Sequence, residues 1–313
     1  MRILITGASG FVGTALCRDL LARGHTVRAA VRRLIPSDAV PPQLHQVLIP
    51  DIAAEFDRRA LVDGVGAVVH LAAIAHRSNR IEADLRRVNC EAAVRLAEAA
   101  AGIVPRFVFL SSVKVHGEDS GHRIYREDDA LHPEDAYGRS KLEAERALSE
   151  TASRTGMELV TIRSPLVYGP GVRANFLRLL GWIDSGLPLP LASVRNRRSL
   201  IYVGNLVDAI ARCVEHPAAR GPFLVSDEET VSTPELVSRI ARALKRPARL
   251  LPAPPALLRA IGVLTGRLDE IRRLIGNLAV DTAKARRVLD WRPPRALDEG
   301  LAETARWFGS AHR

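Results

Sequence analysis

The feature that most restricts what this chain can fold into is its opening segment, "RILITGASGFVGTALCRDLLARGHTVRAAVRR". An apolar run is followed by Gly7, Gly10 and Gly13 at three-residue spacing, then by apolar residues at helical spacing up to a stop at Gly24, then by a second apolar run. This reads as strand, tight turn, amphipathic helix and strand, a βαβ unit. Glycines in such a turn let it close tightly and let the first helix amides approach a pyrophosphate, whose charge the helix N-terminus favours. Helix packing alone also accounts for Gly13. Dinucleotide binding is the expectation for this segment.

Further apolar runs at "HQVLIP", "GAVVHLAA", "RFVFLSS" and "ELVTIRSP" alternate with helical patterns such as "NCEAAVRLAEAAA" and "SKLEAERALSETASRTG". That alternation predicts an α/β fold, a doubly wound parallel sheet covered on both faces. After about Pro170 the pattern changes to helices at "RANFLRLLGWIDSG" and "STPELVSRIARALKR", a proline-rich link at "RLLPAPPALL" and a terminal helix at "LDEGLAETARWFG". Residues 1–170 therefore read as the nucleotide-binding domain. Residues 171–313 read mainly as a smaller C-terminal α/β substrate lobe, with about 198–216 returning to the main domain.

Composition narrows the partners. The 313 residues are 47% hydrophobic and 26% charged, as in ordinary globular proteins, so disorder is not expected. A net charge of +10 raises the question of nucleic acid, but aromatics make up 4%, too few for a base-stacking platform. The basic residues are nearly all Arg and are interspersed with acids, which suits a mildly basic surface attracting a phosphorylated small molecule. Cys17, Cys90 and Cys213 lie far apart within helical patterns, fitting neither a zinc site nor a disulfide framework, and no metal is expected. With the first strand at Arg2 and no long apolar run for a membrane span, the expectation is a cytoplasmic protein.

The chemistry centres on "YGRSK". Tyr137 and Lys141 are four residues apart, so on a helix they share one face. A free tyrosine has a pKa of about 10, and ionising it near neutrality takes about 4 kcal/mol. An ammonium ~4 Å away at an effective dielectric near 20 supplies an interaction of that order, which gives the spacing a purpose. The second strand ends "AAVRR" rather than in the acid that commonly holds an NAD ribose. Arg32 and Arg33 suit a 2'-phosphate and hence NADPH, or else form a solvated pair. Asp51 suits the adenine amino group, or caps the following helix.

These motifs resemble, over nearly the whole chain, the extended short-chain dehydrogenase/reductases that act on nucleotide sugars. The likeness rests on "TGASGFVG", "HLAA" at His70–Ala73, "VN" at Val88 and Asn89, "SS" at Ser111 and Ser112, "YGRSK", "YGPG" at Tyr168–Gly171 and the "LDWRP...LDEGL..T..W" ending. The resemblance implies a Rossmann domain holding NADP(H) or NAD(H). In it Tyr137 is the acid/base, Lys141 its partner, and Ser112 the residue that holds the reacting oxygen. Asn89 takes the place of the family's relay asparagine, or else serves as a helix N-cap. Phe11, Val12, Ile52, Leu71, Ala72, Ala73 and Pro165 fall where family members line the cofactor. Arg198 matches the arginine on the sugar-nucleotide diphosphate, and Asn175 is a softer candidate for phosphate or base contact. Lys114 and His116 either line the sugar pocket or are merely exposed. The helix from Tyr137 onward, used at dimer interfaces in the family, implies a homodimer.

Three positions depart from the pattern: His116 replaces a tyrosine, Asn205 an aspartate, and Leu166 an asparagine that contacts sugar in some epimerases. They count against a hexose 4-epimerase, and "SSVKVHGE", "RSPLVYGPGVRANFLRLL" and "GLPLPL...NRRSLIYVGNLVDAI" resemble most the 4-ketoreductases acting on UDP-4-keto-6-deoxy-N-acetylhexosamine in bacterial polysaccharide synthesis, so a reductase of that kind is the expectation. The alternatives are a UDP-sugar 4-epimerase with retained NAD and, further off, a non-catalytic dinucleotide sensor.

Overall fold

The computed structural model describes residues 1–34, 41–74 and 82–311. Seven parallel strands form the main sheet: β1 (Arg2–Thr6), β2 (Thr26–Val31), β3 (Leu44–Leu48), β4 (Ala67–His70), β5 (Arg106–Ser112), β6 (Glu158–Ser164) and, after two strands of a second sheet, β9 (Gly221–Leu224). Their order is β3-β2-β1-β4-β5-β6-β9, so the direction in which strands are added to the sheet reverses between β1 and β4. The second sheet joins β7 (Leu166–Tyr168), β8 (Arg198–Tyr202) and β10 (Thr230–Val231) in the order β10-β8-β7. This is a Rossmann-like doubly wound fold.

The helices are α1 (Phe11–Ala22), α2 (Arg58–Val62), α3 (Glu82–Arg86), α4 (Ala92–Ala100), α5 (Ala136–Thr155), α6 (Ala174–Asp184), α7 (Val203–Glu215), α8 (Thr233–Ala243), α9 (Pro255–Leu264), α10 (Leu268–Ile275), α11 (Ala283–Leu289) and α12 (Leu297–Ala311). The period-2 alternation of β1 explains the layering. Ile3 and Ile5 pack with Leu16 and Leu20 of α1 and with Leu206 and Ile210 of α7. Leu4 faces the other way, into a core shared with Leu61, Leu96 and Leu148 of α2, α4 and α5. A strand buried on both faces needs an unbroken apolar run, and "ILI" supplies it.

Beyond residue 170 the chain returns to the main domain twice. Helix α7 packs against α1, and β9 completes the sheet beside β6 through pairs such as Ile162 with Phe223. Of the expected return over 198–216 only α7 packs on the main sheet: Arg198–Tyr202 is β8 of the second sheet, and the strand that joins the main sheet is β9, four residues long and too short to stand out in the sequence.

Two glycines of the opening turn have no substitute. Gly7 has φ of +72°, and a Cβ there would lie 2.8 Å from the Ala72 amide nitrogen. A Cβ on Gly13 would lie 2.1 Å from the Gly7 carbonyl oxygen, so α1 leaves the sheet at a distance only glycine permits. Gly13→Ala is expected to cost about 1–3 kcal/mol through forced displacement, measurable as a fall of several degrees in Tm. An unchanged melting curve would refute this account of the turn.

Candidate active site

The residues singled out from the sequence gather at one edge of the sheet. Gly7 follows β1, Arg32 follows β2, Asp51 lies just past β3, Leu71 to Ala73 follow β4, Ser112 ends β5 and Pro165 follows β6. The carboxyl ends of parallel strands, at the reversal of strand order, are where doubly wound folds open a crevice for ligands. Helix α1 begins at Gly10 with no side-chain cap and no acid in its first turn. Its first N–H groups are thus left for an anion, and Gly10 in place of a larger residue keeps the approach open. These residues fit the pyrophosphate of a dinucleotide.

Asp135 starts α5: its Oδ1 accepts a hydrogen bond from the Gly138 amide at 2.6 Å. Tyr137 sits in the first turn and Lys141 one turn on. Lys141 is 2% exposed. Its Nζ donates to the Leu110 carbonyl at 2.8 Å and lies 4.5 Å from the centre of the Phe109 ring. Both partners belong to β5, which two residues later ends in Ser112. The lysine thereby fastens the tyrosine helix to the serine strand.

Asn89 lies in a π-helical turn (Arg87–Glu91) between α3 and α4. Its Oδ1 accepts from the Ile74 amide at 2.8 Å, and its Nδ2 donates to the Ile74 carbonyl and to Ser140 Oγ. Ser140 Oγ in turn donates to the Tyr137 carbonyl at 2.8 Å. Asn89 is therefore a cross-link between the segment after β4 and the Tyr137 turn. The N-cap alternative is not what the structure contains.

Charge within the site departs from the expectation that Lys141 alone would acidify Tyr137. Burial, with the Asp135 carboxylate adding to it, pushes the Tyr137 phenol well above its usual range. Burial also pulls the Lys141 ammonium down to about 7, against the opposing pull of Glu145. Asp135 itself is held below the ordinary carboxylate range: burial works to raise it, but hydrogen bonding and charge from Lys114 prevail. Lys114 Nζ bridges Glu118 Oε1 at 2.6 Å and Asp135 Oδ2 at 2.5 Å, and Arg273 of α10 approaches the same two carboxylates. Lys114, offered above as a sugar contact, is thus already engaged by two acids.

His116 is a correction. It is buried, its Nε2 3.1 Å from Arg163 Nη1 and its ring stacked on Tyr125 at 5.0 Å, so it packs the interior instead of walling a sugar pocket. Burial and the Arg163 charge bring its pKa down to about 4. Asn205 is likewise interior, bonded to Asp227 and to the backbone of Arg295. Asp51 Oδ1 accepts from the Ala53 amide at 2.9 Å, closing a local turn, while Ile52 is buried and Arg32 and Arg33 are exposed. Arg198, at the start of β8, donates to the Gly276 carbonyl at 3.2 Å, and burial lowers it to about 10. Asn175 is exposed at the start of α6, beside Ala174 with φ of +55°.

One residue not singled out is His70, at the end of β4. Its Nδ1 lies 2.9 Å from Thr6 Oγ1 and its ring stacks on Phe107 and Phe109. Burial, reinforced by the Lys141 charge, lowers its pKa to about 3, so it is neutral under Lys141. The "HLAA" motif marked its position, but nothing local in the sequence signals its partners.

The NAD dependent epimerase/dehydratase family matches residues 3–225 of this chain. A UDP-glucose 4-epimerase of Vibrio cholerae is 42% identical over 320 residues, covering 99% of this chain and 96% of that one. Among solved structures, the UDP-glucuronic acid 4-epimerase of Bacillus cereus in complex with NAD has a TM-score of 0.82 at 22% identity, with 100% of both chains covered. MoeE5 in complex with UDP-glucose and NAD has a TM-score of 0.81 at 26% identity, again with 100% of both covered. The crevice, the glycine turn and the tyrosine–lysine helix define an extended short-chain dehydrogenase/reductase. The chain belongs to the NAD dependent epimerase/dehydratase family.

Two measurements follow from the charges. The amine of Lys141 falls from 10.5 to about 7 on folding. Between those values the unfolded chain holds more protons, so this group's contribution to stability grows as pH rises from about 7 to 10.5. Lys141→Met is expected to raise Tm at pH 7 and to lose most of that advantage by pH 10; a pH-independent difference would contradict the buried ammonium. Asp135→Asn keeps a capping oxygen but removes a negative charge beside Tyr137. If Tyr137 acts as a base, the acidic limb of the kcat/KM profile should move to lower pH, and an upward or absent shift would count against it.

Proposed function

We propose that this protein is a UDP-sugar 4-epimerase working through NAD that stays bound between turnovers. The observation that carries the reading is full-length similarity at 42% identity to a UDP-glucose 4-epimerase, joined to a tyrosine–lysine helix fastened to the serine strand. Two of the three departures that put an epimerase in doubt, His116 and Asn205, are interior residues with structural partners, so they say little about the sugar pocket. Exogenous NADPH loses its place with the reductase reading, and the exposed Arg32 and Arg33 give no reason to retain it.

Bound NAD would supply a hydride acceptor and a positively charged ring, held by the Gly7–Gly13 turn, the Leu71–Ala73 segment, Pro165, Tyr137 and Lys141. The protein's own part is proton transfer and orientation. Tyr137 removes the proton of the sugar 4-hydroxyl as the C4 hydrogen departs as hydride, and Ser112 donates a hydrogen bond to the oxygen. Lys141 stabilises the phenolate. Inversion requires the 4-keto sugar to turn its other face before hydride returns, and Tyr137 then gives the proton back. Arg198 and Asn175 are the residues proposed to keep the nucleotide anchored during that turn.

The test is to incubate the purified enzyme with UDP-glucose or UDP-galactose without reductant and follow the two sugars by chromatography. Interconversion is expected. Oxidation of NADPH by a 4-keto-6-deoxy sugar nucleotide, with no interconversion of UDP-hexoses, would overturn the reading in favour of the reductase. Tyr137→Phe is expected to lower kcat by about 10²–10⁴-fold, the usual worth of general acid–base catalysis, with dinucleotide affinity almost unchanged.

A further inference from the structure

Helix α9 has a surface that nothing in the catalytic reading uses. Its inner side is fixed by Leu258, which is buried, and by Gly262, where a Cβ would come within 3.1 Å of Ile271 and Leu268 of α10. That close packing determines which side faces out. The exposed positions are Ala256, Leu257, Arg259, Ala260, Ile261, Val263 and Leu264, all apolar but one. Leu257 is 52% exposed, Ile261 43%, Val263 63% and Leu264 85%. Leu257, Ile261 and Leu264 follow i, i+4, i+7 spacing and form one ridge. Leu251, just before the helix, is 51% exposed.

An apolar face of this extent on a helix marks an interaction site, and the charge around it identifies the partner. Residues 236–268 contain seven Arg or Lys and no Asp or Glu, and of the seven Arg239 and Arg246 are paired with acids from other segments. Arg259 within the helix and Arg267 just after it have no carboxylate partner among the described residues. The nearest acids, Asp269 and Glu270 of α10, face Arg272 and Arg178 respectively. Surplus positive charge flanking an apolar ridge is complementary to a surface that is apolar inside and anionic outside. Because α9 is packed against α10 through Leu258 and Gly262, its ridge is presented lengthwise, as in a helix lying in an interface plane.

We infer that α9, with its flanking arginines, docks this protein peripherally on an anionic lipid surface. The inference is independent of which sugar the enzyme takes.

The test is co-sedimentation of the full-length protein with vesicles of phosphatidylcholine alone or of phosphatidylcholine with phosphatidylglycerol. Binding to the anionic vesicles, weakened by salt and absent with phosphatidylcholine alone, is the expected result. Each arginine near such a surface contributes roughly a fivefold change in partitioning, so Arg259→Glu should weaken binding at least that much. Leu257→Glu with Leu264→Glu should abolish it while leaving turnover unchanged, since neither residue belongs to the site. Sedimentation equal for the two vesicle types, or no sedimentation with either, would overturn the inference. So would a wild-type oligomer in light scattering that the double leucine variant converts to a smaller species, because the ridge would then be covered by a second copy.

Discussion

A single buried ammonium organises the candidate active site. Lys141 is almost wholly removed from water, and its described partners are one carbonyl and the face of one phenyl ring, both on β5. Removing a charge from water is costly unless it is compensated, and the drop of the amine to about 7 is the direct sign of that cost. The arrangement fixes geometry in return. Leu110 and Ser112 are two residues apart on one extended strand, so tying Lys141 to Leu110 sets the height of α5 against Ser112. Tyr137, one turn back on the same helix face, is placed by the same contact. A site built from a strand and a helix in this way is more exact than one carried on loops.

The helix cap introduces a conflict that the surroundings moderate. Asp135 orders the first turn of α5, where Tyr137 lies, yet its negative charge opposes ionisation of that phenol. Lys114 and Arg273 both approach Asp135, and Glu118 in turn ties Lys114 and Arg273 together. Positive charge at the cap offsets the field that Asp135 would otherwise send towards Tyr137. Arg273 comes from α10, so a segment far along the chain contributes to the electrostatics of the Tyr137 turn.

What could be read from the sequence was local. The glycine spacing, the continuous apolar strands and the i, i+4 pair each encode their geometry within a dozen residues, and the Rossmann-like sheet followed from them. The interior roles of His116 and Asn205 depend on Arg163 and Asp227, 47 and 22 residues away. Glu118 and Arg273 are 155 residues apart. Such pairings are created by the fold, and a histidine beside a predicted site looks the same in sequence whether it faces a cleft or an arginine in the core. The π-helical turn at Asn89 is hidden for a related reason, since the partners that Asn89 meets there, Ile74 and Ser140, lie 15 and 51 residues away.

Reductase and epimerase were the hardest alternatives to separate from residues alone, because they share the same first principles of proton and hydride transfer. Both need a tyrosine, its lysine and a hydrogen-bond donor at the oxygen. They diverge afterwards, in whether the cofactor leaves and whether the sugar has room to present its second face. Those properties belong to the walls of the crevice and the closeness of its two halves, set by many residues with no individual chemical signature. Whole-chain similarity samples all of those residues together, whereas a motif samples a few. It is therefore the better guide to the second half of the reaction, just as the tyrosine–lysine spacing is the better guide to the first.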